Sequence, residues 1–186
     1  MSDEMQSSER NLFAKIGSNV RIYPTARIAY PEEISLGSNI IIDDFVFIMG
    51  RGGIAIGSHV HISSFASITG GGPVEIGDFA SISIGVRVLS GSDVFGGFNL
   101  VNSTVPSELR SEQRPGLSIG RHVVIGANSV VLPGIKIADG VAVGAQSLVT
   151  EDLPPWTICV GTPAKPIKER ARTCLQLEQE LEKYER

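Results

Sequence analysis

Histidine and cysteine, the side chains best suited to moving a proton near neutral pH or holding a transition metal, number five in this 186-residue chain. Three histidines, His59, His61 and His122, titrate nearest neutral pH and are the natural general-base candidates. A three-histidine zinc site would need three imidazoles that converge, and His59 and His61 form no such set with His122. Cys159 and Cys174 have no metal-ligand spacing and nothing marks them as a disulfide pair, so they read as free thiols in a reducing compartment. No metal site is expected. Residues 91–116, GSDVFGGFNLVNSTVPSELRSEQRPG, mix Asp, Asn, Thr, Arg and aromatic side chains. A stretch this long without structure of its own is uncommon inside a compact domain unless it serves function.

The elements that must position that stretch are written as a repeat. From Ile16 an aliphatic residue returns every six positions, at Ile16, Ile22 and Ile28. After a slip of two it returns at Leu36, Ile42 and Ile48, then at Ile56, Ile62 and Ile68, then at Ile76, Ile82 and Val88. Beyond residues 91–116 it resumes at Ile119, Ile125 and Val131, and then at Ile137, Val143 and Val149. A second register two residues earlier holds small or aliphatic side chains, such as Val20, Ile40, Val60, Ala80 and Val123. Inward positions two apart define a short strand, because side chains alternate faces with period two. A helix is excluded, since a period of six would spread the aliphatic residues around its surface. Gly commonly follows the first position, as at Gly17, Gly37, Gly57 and Gly77, where a tight corner suits a residue without a Cβ. Three such units make one triangular coil, and about six coils stack roughly 4.8 Å apart into three parallel sheets. The slips of two, in IMGRGGIAIG and ITGGGPVEIG, make one corner bulge. The predicted organisation is an N-terminal segment 1–15, an all-β solenoid 16–154 with the loop 91–116, and a C-terminal extension 155–186.

The units IGDFAS, IGRHVV and IGANSV, together with the run GTPAKPIKER, resemble the bacterial hexapeptide-repeat sugar acyl- and acetyltransferases. Left-handed coiling is implied by that resemblance alone, because parallel crossovers are ordinarily right-handed. The resemblance also implies a homotrimer with sites between neighbouring prisms, and acyl-CoA as co-substrate with no permanently bound cofactor. Family O-acetyltransferases place a His just after the last strand before the loop, and in VLSGSDV that position is Asp93. None of the three histidines follows the interrupted coil in that way. His59 and His122 share a corner position with Asn19, Asn39 and Phe79 and read as solvated turn residues, while His61 points outward from a strand. A carboxylate of reference pKa ~3.9 is a weak base for an alcohol, but it suits an amine that needs orientation and loss of a proton. The implied reaction is acyl transfer to the amino group of a nucleotide-linked amino sugar, within surface-polysaccharide (lipopolysaccharide) biosynthesis. Sugar O-acetyl transfer is the alternative. Asp93 is the candidate catalytic residue, with Ser83, Ser90 and His61 as possible contributors. For coenzyme A the resemblance points to Gly126, Ala127, Gly144, Ala145, Thr150, Pro163, Lys165 and Lys168, while Glu151 stands where relatives often carry Lys.

Sixteen basic and twenty acidic side chains give a net charge of −4, and no basic run marks a nucleic-acid partner. The start MSDEMQSSERNLF lacks a signal peptide's pattern, and no apolar run approaches the ~18 residues of a membrane span, so a cytoplasmic protein is expected. Trp156 is expected to cap the open end of the last coil, and the tail from about Ile167 to Arg186 to form an amphipathic helix with Leu175, Leu177 and Leu181 on its apolar side. Two rivals share the coil: a γ-type carbonic anhydrase, disfavoured by its need for three converging histidines, and a non-catalytic scaffold, disfavoured by the loop and the GTPAKPIKER run.

Overall fold

The computed structural model describes residues 11–181, 183 and 184; the first ten residues of the N-terminal segment lie outside the described residues. Each six-residue unit forms a strand of two or three residues, and successive units fall in turn on three sheets. The first sheet stacks strands Lys15–Ile16, Ile34–Leu36, Ile54–Ile56, Val74–Ile76, Leu117–Ile119 and Lys136–Ile137. The second runs from Val20–Ile22 through His61–Ile62 and Ser81–Ile82 to Val124–Ile125, Ala142–Val143 and Thr157–Val160. The third runs from Arg27–Ala29 through Arg87–Leu89 to Val130–Val131 and Leu148–Val149. All stacked neighbours in these runs are parallel. The extra strand Thr157–Val160 begins a further coil, so the solenoid has about seven turns rather than six.

Register explains why the interior is predominantly aliphatic. Val74 pairs with Ile54 on one side and Leu117 on the other, so the coil closes across the loop as though nothing were inserted. Fifteen of the eighteen positions predicted from the main register are buried, from Leu36 to Val149. Ile16, Ile22 and Ile28, in the first coil, are half-buried against the same core. Burial of each such side chain contributes about 1.5–3 kcal/mol.

The corner between the first and second sheets stacks side chains as well as backbone. Asn19, Asn39, His59, Phe79, His122 and Trp156 all have left-handed backbone, with φ between 51° and 59°. Asn19 Nδ2 donates to Asn39 Oδ1 at 2.7 Å, His59 stacks on Phe79 at 4.7 Å, and Phe79 stacks on His122 at 4.9 Å. The two histidines are therefore rungs of a ladder rather than solvated turns. His122 Nε2 lies 2.7 Å from Glu178 Oε2, and Arg121 pairs with the same carboxylate.

The C-terminal part differs from expectation in two ways. Residues Lys165–Glu169 form a strand antiparallel to Thr157–Val160, and among the described tail residues the helix is Cys174–Leu181. An end strand would leave a row of open backbone groups, and the returning strand pairs them. The helix turns Cys174, Glu178 and Leu181 inward, whereas Leu175 and Leu177 are exposed. Trp156 is not the lid either. Leu153, Cys159 and Ala164 close the last coil, and Trp156 lies at the corner over Gly140, where a Cβ would collide with the indole.

Candidate active site

Residues 91–116 leave the prism at the bulged corner between the third and first sheets. Their root is a short antiparallel ribbon in which Ser92–Asp93 pairs with Glu112–Gln113, Asp93 opposite Glu112. Glycine is required here. A Cβ at Gly70 would collide with the Gly91 amide, and one at Gly91 with the Gly70 carbonyl, so the ribbon lies close on the coil beside it. Ser90, 2% exposed, accepts from Gly72 N–H at 3.0 Å and donates to the Thr69 carbonyl at 3.1 Å. A hydroxyl so placed anchors the root of the loop rather than facing a substrate.

Asp93 lines a cavity of about 380 Å³ with Met49, Asn102, Ser103, Arg110, Glu112 and Arg114. Its half-buried carboxylate makes no hydrogen bond or ion pair with any other described residue. A turn-capping aspartate would accept from nearby backbone N–H groups, and this one does not. Glu112 instead bridges Arg110 and Arg114.

Ser83 lies at a different corner, where the second sheet turns into the third. Its amide donates to the Ile125 carbonyl at 3.0 Å and its carbonyl accepts from Val86 N–H, while its side chain is half-buried. The strand Arg87–Leu89 separates it from Asp93, so one prism holds the two at opposite edges of the third sheet. His61 belongs to the edge with Ser83. It projects from the second sheet beside Ser81, with Nε2 3.0 Å from Asp43 Oδ2. No group of three or more His, Cys, Asp or Glu able to hold a metal occurs among the described residues.

Below Ser83 the same corner becomes narrow and small. Ile82 aligns with Ile125, and Ile125 with Val143, so Gly126–Ala127 and Gly144–Ala145 follow Ser83–Ile84 in the next two coils. Buried Ser129 and Ser147 support this strip from inside, both donating to the Gly144 carbonyl, at 3.0 and 2.8 Å. Thr150 follows the last strand of the third sheet, Pro163 is exposed in the turn between Thr157–Val160 and Lys165–Glu169, and Lys168 is exposed on the returning strand. Lys165 Nζ lies 2.8 Å from Glu151 Oε2, an exposed pair worth at most about 1 kcal/mol and so readily exchanged for another anion. Above Ser83 sequence reasoning missed Phe45 and Phe65, both more than half exposed and stacked at 5.0 Å. Their φ values of 62° and 61° are unusual for bulky side chains, and the signal was an aromatic residue at a corner position that Gly85 and Asn128 also fill. A groove of about 700 Å³ along the outer face of the first sheet holds none of the candidate site residues.

Strands of six-residue period, one polar loop breaking the coil and a strip of small residues below it define a hexapeptide-repeat transferase. The family model described as bacterial transferase hexapeptide (six repeats) matches residues 116–151. The chain belongs to the hexapeptide-repeat acyltransferases that use acyl-CoA to modify amino sugars: it is 43% identical, over 95% of its length and 92% of the relative's, to dTDP-4-amino-4,6-dideoxy-D-glucose acyltransferase of Escherichia coli. It is also similar to AntD, an N-acyltransferase from Bacillus cereus solved with dTDP and 3-hydroxybutyryl-CoA, at 37% identity and a TM-score of 0.91 over 99% of this chain and 98% of that one. A maltose O-acetyltransferase from Clostridium difficile 630 shares the fold, with 24% identity and a TM-score of 0.62 over 92% of this chain and 79% of that one.

Proposed function

We propose that this protein transfers an acyl group from acyl-CoA to the 4-amino group of a dTDP-linked 4-amino-4,6-dideoxy sugar, and that Asp93 is the group facing the amine. The observation that carries the reading is the half-buried Asp93 carboxylate, without a partner among the described residues, in the loop cavity. In the reaction the neutral amine attacks the thioester carbonyl and forms the new C–N bond. The C–S bond then breaks, and the proton lost by nitrogen passes through Asp93 to the departing thiolate. Full-length similarity to an acyltransferase of this sugar nucleotide supports the acceptor class. The solved AntD forms include variants at one aspartate and one serine ten residues apart, the separation of Asp93 and Ser83 here.

Ser83 and Asp93 stand at opposite edges of one sheet, so a site using both requires a neighbouring prism. A homotrimer would place the loop of one protomer over the Ser83 edge of the next. Coenzyme A would lie along Ala127 and Ala145, where small side chains admit the pantetheine arm, with Thr150, Pro163, Lys165 and Lys168 toward its far end. Thiol-bearing CoA and a cytoplasmic supply of sugar nucleotide fit a cytoplasmic step of surface-polysaccharide synthesis. Thiol release from acetyl-CoA tests the reading. It should be rapid with the 4-amino sugar nucleotide and at background with its 4-hydroxy counterpart; equal rates would overturn it in favour of O-acetyl transfer.

A further inference from the structure

Resting on that acceptor reading, we propose that Arg110 and Arg114, held together by Glu112, are the seat of the acceptor's diphosphate. The acceptor carries two charges of opposite sign at opposite ends of one sugar ring: an amine that can be protonated, and the anionic diphosphate at the anomeric carbon. The loop cavity carries the complementary pair. Asp93 supplies the negative wall, and the two guanidinium groups supply the positive one. Asp93 sits directly across the ribbon from Glu112, so the carboxylate that collects both arginines is fixed relative to the one that faces the amine. A volume of about 380 Å³ is room for a sugar ring between them.

Three features favour an anion seat over a simple staple of the loop. One carboxylate shared by two guanidinium groups leaves the pair short of one carboxylate partner. Arg110 Nε is buried with no hydrogen-bond partner among the described residues, a donor left open for a ligand. Arg114 remains 40% exposed and passes over Gly71, at whose position a Cβ would lie 3.3 Å from Nη1, so the guanidinium has an open approach beside bare backbone. The planar fork of arginine matches a phosphate's oxygens two at a time, which a lysine cannot do. Pairing of the ribbon, the glycine contacts at its root and the Ser90 anchors hold these groups in place before the substrate arrives.

Calorimetric titration of dTDP, thymidine and CoA into the full-length protein tests this. The wild type should bind dTDP well ahead of thymidine. Arg114→Gln should weaken dTDP by about tenfold or more, the range of a lost charge-assisted contact, while CoA affinity stays within about twofold. Arg114→Lys should restore part of the lost preference. Variants that keep CoA binding and an undiminished preference for dTDP over thymidine would overturn the proposal and leave the arginines as a loop staple. If Arg110→Gln lowers the unfolding temperature, Arg114→Gln, at the more exposed position, carries the test. A wild type that binds CoA but not dTDP would be a different failure, that of the acceptor reading itself.

Discussion

Replacing Asp93 by Asn separates charge from shape at the proposed catalytic position. The amide is isosteric, and the native carboxylate has no partner among the described residues to lose, so folding stability should change by no more than about 0.5 kcal/mol. Catalysis should respond quite differently. Asn can neither accept the amine's proton nor stabilise an ammonium, and removing a positioned acid–base group costs about 10²-fold or more. At 1.36 kcal/mol per decade, that is a loss of at least about 2.7 kcal/mol in transition-state stabilisation. The assay is steady-state thiol release with saturating acetyl-CoA and dTDP-4-amino-4,6-dideoxyglucose, with thermal unfolding as the control for folding. The loss should fall mainly on kcat, because the charge matters most as the C–N bond forms. An Asn variant within about fivefold of wild type, with unchanged unfolding, would refute the reasoning and reduce the carboxylate to an incidental loop residue.

Four further outcomes follow from the geometry. Ala127→Leu should raise KM for acyl-CoA by about tenfold or more and leave KM for the sugar nucleotide unchanged, because the added side chain fills the strip below Ser83; separate titration of the two substrates checks this. Ile68→Ala should lower stability by about 2–5 kcal/mol in denaturant unfolding, since the side chain is fully buried in the middle of the stack. Glu178→Ala should release the C-terminal helix from His122 and Arg121, seen as faster amide exchange across Cys174–Leu181 while the coil's protection is retained. Co-expressing an inactive Ser83 variant with an inactive Asp93 variant should restore roughly a quarter of wild-type activity if each site takes one residue from each neighbour and subunits mix at random; no recovery would place the whole site within one prism.

The coil was legible because its information is local and repeated. Positions such as Ile42, Ile62 and Ile82 each state the same inward direction, and the stack adds only their register. The corner ladder was half legible. His59, Phe79 and His122 share one position, but their stacking depends on the spacing between coils, which a single turn does not encode. The tail misled because Leu175, Leu177 and Leu181 look amphipathic, whereas Lys165–Glu169 is drawn into strand by the open edge of Thr157–Val160, a tertiary demand. Asp93 was found only as a departure from a family pattern. Its relation to Arg110 and Arg114 needs residues roughly twenty apart to meet at the closed root of the loop, and no local period reports that.

The central claim is amide formation on a nucleotide-linked amino sugar, and the structure of the product tests it most directly. Purified protein incubated with carbon-13-labelled acetyl-CoA and dTDP-4-amino-4,6-dideoxyglucose should yield one labelled product. Its carbonyl should correlate by NMR with the proton on the nitrogen-bearing sugar carbon, and that product should be absent with the Asp93→Asn variant. A labelled ester on a sugar hydroxyl, or no label transferred while the protein still binds CoA, would contradict the account.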